Sequence, residues 1–434
     1  QPAGCTTHRQ ICRKINEQGV INQNGKRWLL LVTCVLLIGI AGYVFAFILV
    51  SSSADESIRN AEKLLATGQA DEARHRMQWV VWFQPDHPGA HLLIGQSHLE
   101  SQDYEAAVLH FKSVKPTAPE FGRARQYLAG CLLNQNQLEK AELVLRQLVL
   151  ATPQSLPVHR ELAVLLLGQL RSDEAIQVLL KFLKTADELS VADRMVVLRD
   201  LLKSQFQAPL PEDCIESLQA ADTQHPGQTT VAVALANCLL RLGRRTKAAN
   251  VINQLQARLP SSPVVQIMQL QFMVELRNYE DARSTIRNIE QTLTSSVNES
   301  PYSIAKFYLL KSTMEEHDGN YHAAIASLQR AAIAKPLDRA SRIRHARMMQ
   351  RTGRTNLASE LFSTIHRQAE AELTLWHLTG KIDDRMLSRE ECERISVLFK
   401  TLEQPTQSDA WRRVAEEFNS ATNNVSVLGS GMPK

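Results

Sequence analysis

Residues 94–119 read IGQSHLESQDYEAAVLHFKSVKPTAP, and the spacing within this stretch decides the fold. Gly95 lies in one helical pattern. Tyr104, Ala107 and Phe111 then fall three and four residues apart, on one face of a second helix, and Pro119 closes the unit. A methyl side chain at a helix crossing lets two backbones approach closely, so the stretch predicts a tight pair of short helices. Steps of 34 residues from Ala107 land on Ala73, Ala141 and Ala175; the same step links Cys214, Ala248 and Ala282, and then Ala324 and Ala358. Five extra residues precede Cys214 and eight precede Ala324. Twelve residues after the small one comes proline, at Pro85, Pro119, Pro153, Pro226, Pro260 and Pro336. Proline has no amide donor and fixes its own φ, which suits the junction between one helix pair and the next.

This register resembles that of the tetratricopeptide repeat family, whose 34-residue unit runs W-x2-L-G-x2-Y, then A-x3-F, then P. In the second repeat Ile94, Gly95 and His98 fill the first part, and Ala107, Phe111 and Pro119 the second. Later copies read Tyr321, Ala324, Leu328, Pro336 and Gly353, Ala358, Phe362. None has the opening tryptophan, and Cys214 replaces the alanine once. The resemblance covers residues 54–372 and implies an all-α chain, an α-solenoid of about nine helix pairs stacked nearest neighbour on nearest neighbour. It also implies that the first helices of successive repeats line a concave face where peptides or protein segments bind.

The N-terminal region is of another kind. Residues 1–27 form a basic tail, with Arg9, Arg13, Lys14, Lys26 and Arg27 against Glu17 alone, and hold the chain's whole excess of four positive charges. The rest is balanced, which gives no electrostatic reason to expect nucleic-acid binding. Residues 28–50, WLLLVTCVLLIGIAGYVFAFILV, carry neither charge nor proline. As a helix rising about 1.5 Å per residue this stretch crosses a hydrocarbon core of roughly 30 Å with some tilt. Lys26 and Arg27 precede it and Asp55 and Glu56 follow, so the charge rule places the N-terminus in the cytoplasm and the repeats beyond the membrane, in the periplasm of a two-membrane bacterium. The competing reading is a cleaved signal peptide, with Ser52-Ser53-Ala54 as the cleavage site, though its apolar region is usually only about 7 to 15 residues.

Past Ser51-Ser52-Ser53 the first repeat opens, and its second helix holds the run Trp79, Val80, Val81, Trp82, Phe83. It reads either as a core seam against the second repeat or as an aromatic contact with the lipid interface. Breaks are expected near 190–213, where Ser190 and Asp193 make a capping box and Pro209 and Pro211 end a helix, and near 294–304, where TSSVNESP is polar and aperiodic. A helical C-terminal cap is expected over 373–418, its last helix capped by Ser408, followed by a disordered tail at 419–434.

Motifs of catalysis are missing: no Gly-rich phosphate loop, H-E-x-x-H, paired C-x-x-C or nucleophile elbow occurs. The cysteines are scattered singly and read as buried thiols. His87, His91 and His98 form the tightest histidine set, but two turns separate the last two and no carboxylate is spaced with them, so no metal and no cofactor is expected. Function is therefore expected on the concave face. Register puts Arg123, Arg160, Arg199, Lys203 and Arg241 in inward slots of repeats three to six, a ladder suited to an acidic or carboxylate-bearing partner segment, because a guanidinium bonds a carboxylate in two places. A solvated helix face is the plainer reading, and Glu161 and Asp200 lie near enough in sequence to neutralise the strip. The expected role is a non-enzymatic membrane-anchored scaffold for assembly of an envelope complex. The alternatives are a chaperone-docking or protein-import receptor with cytosolic repeats, and an accessory subunit of an enzyme complex.

Overall fold

A computed structural model describes residues 28, 31–42, 54–185, 189–295, 301–336, 338–381 and 387–428 of the protein. The described residues are all-α, and their contacts divide the chain into two units, one ending at Cys131 and the other beginning at Leu132. The basic tail lies outside the described residues. Of the apolar stretch at 28–50, residues 31–42 are helical and exposed throughout. Among the described residues no helix is long and apolar enough to cross a membrane.

In the first unit, α1 (54–66) and α2 (Ala70–Phe83) form one hairpin, and α3 (Pro88–Glu100) and α4 (Tyr104–Ser113) the next, before α5 (Phe121–Asn134). Local chemistry sets the ends of α3 and α4. Pro88 starts α3, and the Asp103 carboxylate caps α4 by accepting from the Ala106 amide at 3.2 Å. Between them Gln102 takes φ +57°, its amide bonding Leu99 O at 2.9 Å and the next amide, Asp103, reaching His98 O at 2.9 Å. This left-handed turn closes the carbonyl end of one helix and sends the chain straight into its partner. The hairpin is tight enough that a methyl group on Gly95 would sit 2.5 Å from the Phe111 ring.

The turn has the same 34-residue period as the small residues. Gly68, Gln102, Asn136 and Leu170, then Gly243 and Arg277, then Gly319 and Gly353 all have positive φ, each five residues before its alanine. Those alanines, Ala73, Ala107, Ala141, Ala175, Ala248, Ala282, Ala324 and Ala358, are all fully buried, and Cys214 is 4 % exposed. A further copy falls at Glu403, φ +57°, with its amide pattern intact. Ser408 therefore occupies the small-residue slot of α20 (Pro405–Leu428) and does not cap that helix, which starts three residues earlier. The α20 backbone stays helical to Leu428, through the first part of the segment expected as a disordered tail.

One pair breaks the pattern. Five residues before Cys214 stands Pro209, whose ring holds φ near −65° and excludes the left-handed turn. Accordingly α9 (Val191–Phe206) and α10 (Pro211–Gln224) do not close as a hairpin. Instead α9, capped by Ser190 as its spacing predicts, packs on α7 (Leu156–Gly168), α8 (Ser172–Thr185), α18 (Thr355–Thr379) and α20. The connection leading from α10 into α11 (Thr229–Arg241) is stitched to the connection leading into α6 (Leu138–Ala151). Gln228 donates to Asn136 O at 2.9 Å and accepts from the Glu139 amide at 3.0 Å, His225 Nε2 meets Gln135 O at 2.8 Å, and the Glu139 carboxylate accepts from the Thr229 amide at 2.9 Å.

The second unit continues through α12 (Arg245–Arg258), α13 (Pro263–Glu275), α14 (Tyr279–Ser295), α15 (Pro301–His317), α16 (Tyr321–Ala334), α17 (Arg339–Arg351), α18 and α19 (Arg389–Thr401) to α20. The expectation that each repeat meets only its neighbours is corrected here: α9 and the last helices touch across about two hundred residues of sequence, through Gln205 with Gln407 at 3.1 Å and Arg194 with Glu417 at 2.5 Å. The freed α9 explains the closure, because its apolar face needs another partner. The repeat region and the C-terminal cap, divided in sequence at 372 and 373, are likewise joined by the unbroken helix α18.

Candidate functional site: the internal cavity of the second unit

In the second unit the helices leave a concave cavity of about 1080 Å³ that is open to solvent. Its walls come from α8, the end of α9, α15, the junction of α16 and α17, α18, and the turn into α20. On α18, Gln368, Glu372, Leu373 and Trp376 lie at helical spacing along the wall, and the two apolar members remain 57 % and 51 % exposed. Leu and Trp left open inside a concavity mark a surface still lacking a partner.

The polar side of the cavity is organised by paired charges. Lys335 bonds Asp173 at 2.8 Å and places its ammonium 5.1 Å from the centre of the Tyr302 ring. Tyr302 is 44 % exposed, yet burial by the surrounding walls pushes its phenol above the usual range. Arg342 bonds the buried Gln368, and Arg342 and Arg339 face Glu372. Burial raises the Glu372 pKa, with the two guanidinium charges opposing that shift.

Behind the α8 wall, Arg171 holds Glu174 at 2.8 Å and Glu142 at 2.6 Å, while Arg146 bonds the same two carboxylates at 2.8 Å. Burial works against the Arg171 charge, but the bonds to Glu174 and Glu142 outweigh it and its pKa rises. The two guanidinium groups and the two carboxylates thus pair with one another behind the wall.

The residues of the expected basic ladder are divided between the two units. Arg123 belongs to the first unit and the other four to the second. Arg160 is tied to Asp200 of α9 at 2.5 Å, the neutralisation its neighbours in sequence suggested. Arg199 is half-buried and has an interaction partner, whereas Lys203 is exposed beside the α9 residues that line the cavity. Arg241 is exposed but acts electrostatically on both Tyr302 and Lys306, so it stands in the field of the cavity.

Sequence reasoning missed Tyr302, Lys335, Arg339, Arg342, Glu372 and Trp376. A periodic signal ranks neighbours, and these residues come together only because distant repeats meet.

The first unit holds a second cluster. His91 Nδ1 lies 3.1 Å from His110 Nδ1, His91 Nε2 meets Pro85 O at 2.7 Å, and the rings of His98 and His110 stack 5.7 Å apart. Burial first, then the charges of His91 and His98, lowers the pKa of His110 to about 4. His110 sits on the partner helix and so escaped a search by spacing along one helix. Among the described residues no group of three or more metal-ligating side chains is arranged to hold an ion.

Comparison with known proteins agrees with the repeat reading. Models described as tetratricopeptide repeat match residues 58–120, and 98–162 together with 211–271. The gap between the last two matches contains α9 and its missing turn. No curated protein matches the sequence. Among solved structures, a tetratricopeptide repeat protein from Parabacteroides merdae ATCC 43184 is 14 % identical over 69 % of this chain and 99 % of its own, with a TM-score of 0.30. MamA from Desulfovibrio magneticus RS-1 is 15 % identical over 41 % of this chain and 96 % of its own, TM-score 0.29. A thermophilic repeat protein from Thermus thermophilus is 19 % identical over 43 % of this chain and 98 % of its own, TM-score 0.28.

Proposed function

We propose that this chain, parts of which match tetratricopeptide repeat models, is a non-enzymatic scaffold that holds a segment of a partner protein in the cavity of its second unit. The observation that carries this reading is the open apolar pair Leu373 and Trp376 set beside Arg339 and Arg342 in one concave wall. A segment presenting an apolar side chain and a nearby carboxylate would use both halves of that wall. Burying the Trp376 face supplies affinity, and the guanidinium forks fix the carboxylate in direction. Arg241 and Lys203 add positive potential at the approach, so an acidic segment is the favoured partner.

The scaffold is held at a membrane, in this proposal, by residues 28–50. The flanking charges Lys26, Arg27, Asp55 and Glu56 then place the N-terminus in the cytoplasm and the repeats outside it, where they would help assemble an envelope complex.

Two experiments test the two halves. Leu373→Ala with Trp376→Ala, and separately Arg339→Glu with Arg342→Glu, should each abolish partner capture by the full chain. Leu150→Ala, a 75 % exposed residue outside the cavity lining, should leave it intact. Equal capture by all of these proteins would remove the cavity as the binding site. For the membrane half, a reporter active only in the cytoplasm should be silent when fused after Lys434, and strong activity there would reverse the topology.

A further inference from the structure

In the first unit α2 buries Ala73, Met77 and Val80 and turns Trp79 and Trp82 outward. The core-seam reading of this run is therefore corrected for both tryptophans, which are 50 % and 67 % exposed. They are also ordered against each other. Their rings stack with centroids 5.6 Å apart and planes 2° from parallel, Phe83 extends the stack at 6.5 Å from Trp82, and His75 meets Trp79 edge-on. Two stacked indoles on one helix face make an exposed apolar platform that also carries two N–H donors. That combination suits the boundary between lipid headgroups and acyl chains.

The connectivity says which surface this platform meets. Helix α1 runs away from residue 54, the left-handed Gly68 reverses the chain, and α2 returns over the same distance. The last turn of α2 thus stands level with the first turn of α1. A contact confirms the level: a methyl group on Gly89, just past α2, would lie 3.2 Å from Ile58 Cδ1. Only Ser51, Ser52 and Ser53 separate α1 from the apolar stretch ending at Val50, a reach of at most about 14 Å. Trp79 and Trp82 are therefore carried at the end of the hairpin where α1 begins.

We infer that the Trp79–Trp82 face of α2 seats the first helix pair in the headgroup–acyl boundary of the phospholipid bilayer that residues 28–50 enter. The inference rests on the membrane-anchored reading above and adds a second, peripheral contact to it. The platform fixes the orientation of the first hairpin at the membrane surface, which a three-serine tether alone does not.

The test uses the full chain in phosphatidylcholine vesicles whose acyl chains carry bromine near the headgroups, a short-range quencher of indole emission. One protein carries Trp28→Phe, Trp376→Phe and Trp411→Phe, leaving Trp79 and Trp82 as the only indoles; a second carries Trp79→Phe, Trp82→Phe, Trp376→Phe and Trp411→Phe, leaving Trp28. The inference expects brominated lipid to quench both proteins, and the Trp79 and Trp82 emission to shift to the blue and resist aqueous iodide. Quenching of Trp28 with none of Trp79 and Trp82 would overturn the platform while leaving the anchor standing. Iodide protection without lipid quenching would mean a protein covers the face, and would overturn it too. A Trp28 that lipid does not quench, in protein that fails to float with the vesicles, would remove the anchor and the inference with it.

Discussion

The turn at Gln102 and the joint at Pro209 occupy the same place in two copies of one repeat, and they lead the chain in opposite ways. At Gln102 the backbone enters the left-handed region, both trailing amides find carbonyls of α3, and the partner helix folds back at once. At Pro209 that conformation is closed to the chain, and α9 finds its apolar contacts on α18 and α20. A stack of repeats is local by default, and one forbidden φ is enough to make it non-local. The cavity of the second unit lies beside this joint, its lining drawn from α8 and the end of α9 together with α15, α17, α18 and the turn into α20.

The comparison is tested hardest by removing what holds α9 in its adopted place. Trp411 is fully buried in α20, the last helix packed on α9. Trp411→Ala should cost about 3 to 5 kcal/mol. Hydrogen exchange of the α9 amides should accelerate with it, far away in sequence. Phe111→Ala in the first unit, an equally buried aromatic, should cost as much but speed exchange only in helices next to it in sequence. Local effects from both variants would mean that α9 is not held by the C-terminal helices.

The next effect lies at the stitch that replaces the missing hairpin. Gln228, 9 % exposed, bonds Asn136 O, Ala221 O and the Glu139 amide. Gln228→Ala leaves those groups without the partner they have, at about 1 to 3 kcal/mol. Urea midpoints of the two proteins measure it. An unchanged midpoint would show that the connections into α6 and α11 do not depend on each other.

How much of this was legible in the sequence follows from range. The alanine slots and the proline junctions were legible because a helix hairpin is specified within one repeat, and the eight alanines from Ala73 to Ala358 are fully buried. The left-handed position was legible too, but only in hindsight: Gly68, Gly243, Gly319 and Gly353 announce it, whereas Gln102, Leu170 and Arg277 disguise it. Once it is seen, Pro209 is the exception that predicts the broken pair. The cavity was not legible. Arg342 and Trp376 on one side and Asp173 on the other share no spacing, and only the path of α9 brings them together.

Protonation separates the regions by a smaller amount. With its folded pKa lowered to about 4 from 6.5, His110 is held neutral in the folded first unit. The unfolded chain takes up the proton first, so this stability is fully present above pH 6.5 and is lost as pH falls towards 4. The melting temperature of the first unit should drop across that window, and His110→Gln should flatten the profile. No histidine occurs between Ser190 and Cys214, so the joint itself should show no such slope. A profile unchanged by His110→Gln would place the titration elsewhere.

A glycine should help the turn and do nothing for the joint. Gln102 holds a conformation that costs an L side chain about 1 to 2 kcal/mol relative to the right-handed region. Gln102→Gly relieves this but frees the unfolded chain, so a net gain of about 0.5 to 1 kcal/mol is expected. Gln207 follows α9 with φ −131°, where glycine relieves nothing. Gln207→Gly should be neutral or slightly destabilising, and a gain there equal to that at Gln102 would mean that left-handed strain does not distinguish the two sites.

The smallest effect is expected from the charge that most visibly bridges α7 and α9. Arg160 meets Asp200 at 2.5 Å, but its side chain is 48 % exposed and its carboxylate partner 24 % exposed, so water and salt screen the pair. Exposed pairs of this kind contribute roughly 0 to 1 kcal/mol. If apolar packing against α18 and α20 places α9, Arg160→Ala should barely move the urea midpoint, and raising the salt should abolish whatever remains. The contrast with Trp411→Ala then ranks the two ways of holding a helix that has lost its hairpin. A loss at Arg160 comparable to the loss at Trp411 would mean instead that the ion pair directs α9 and that the C-terminal helices merely cover it.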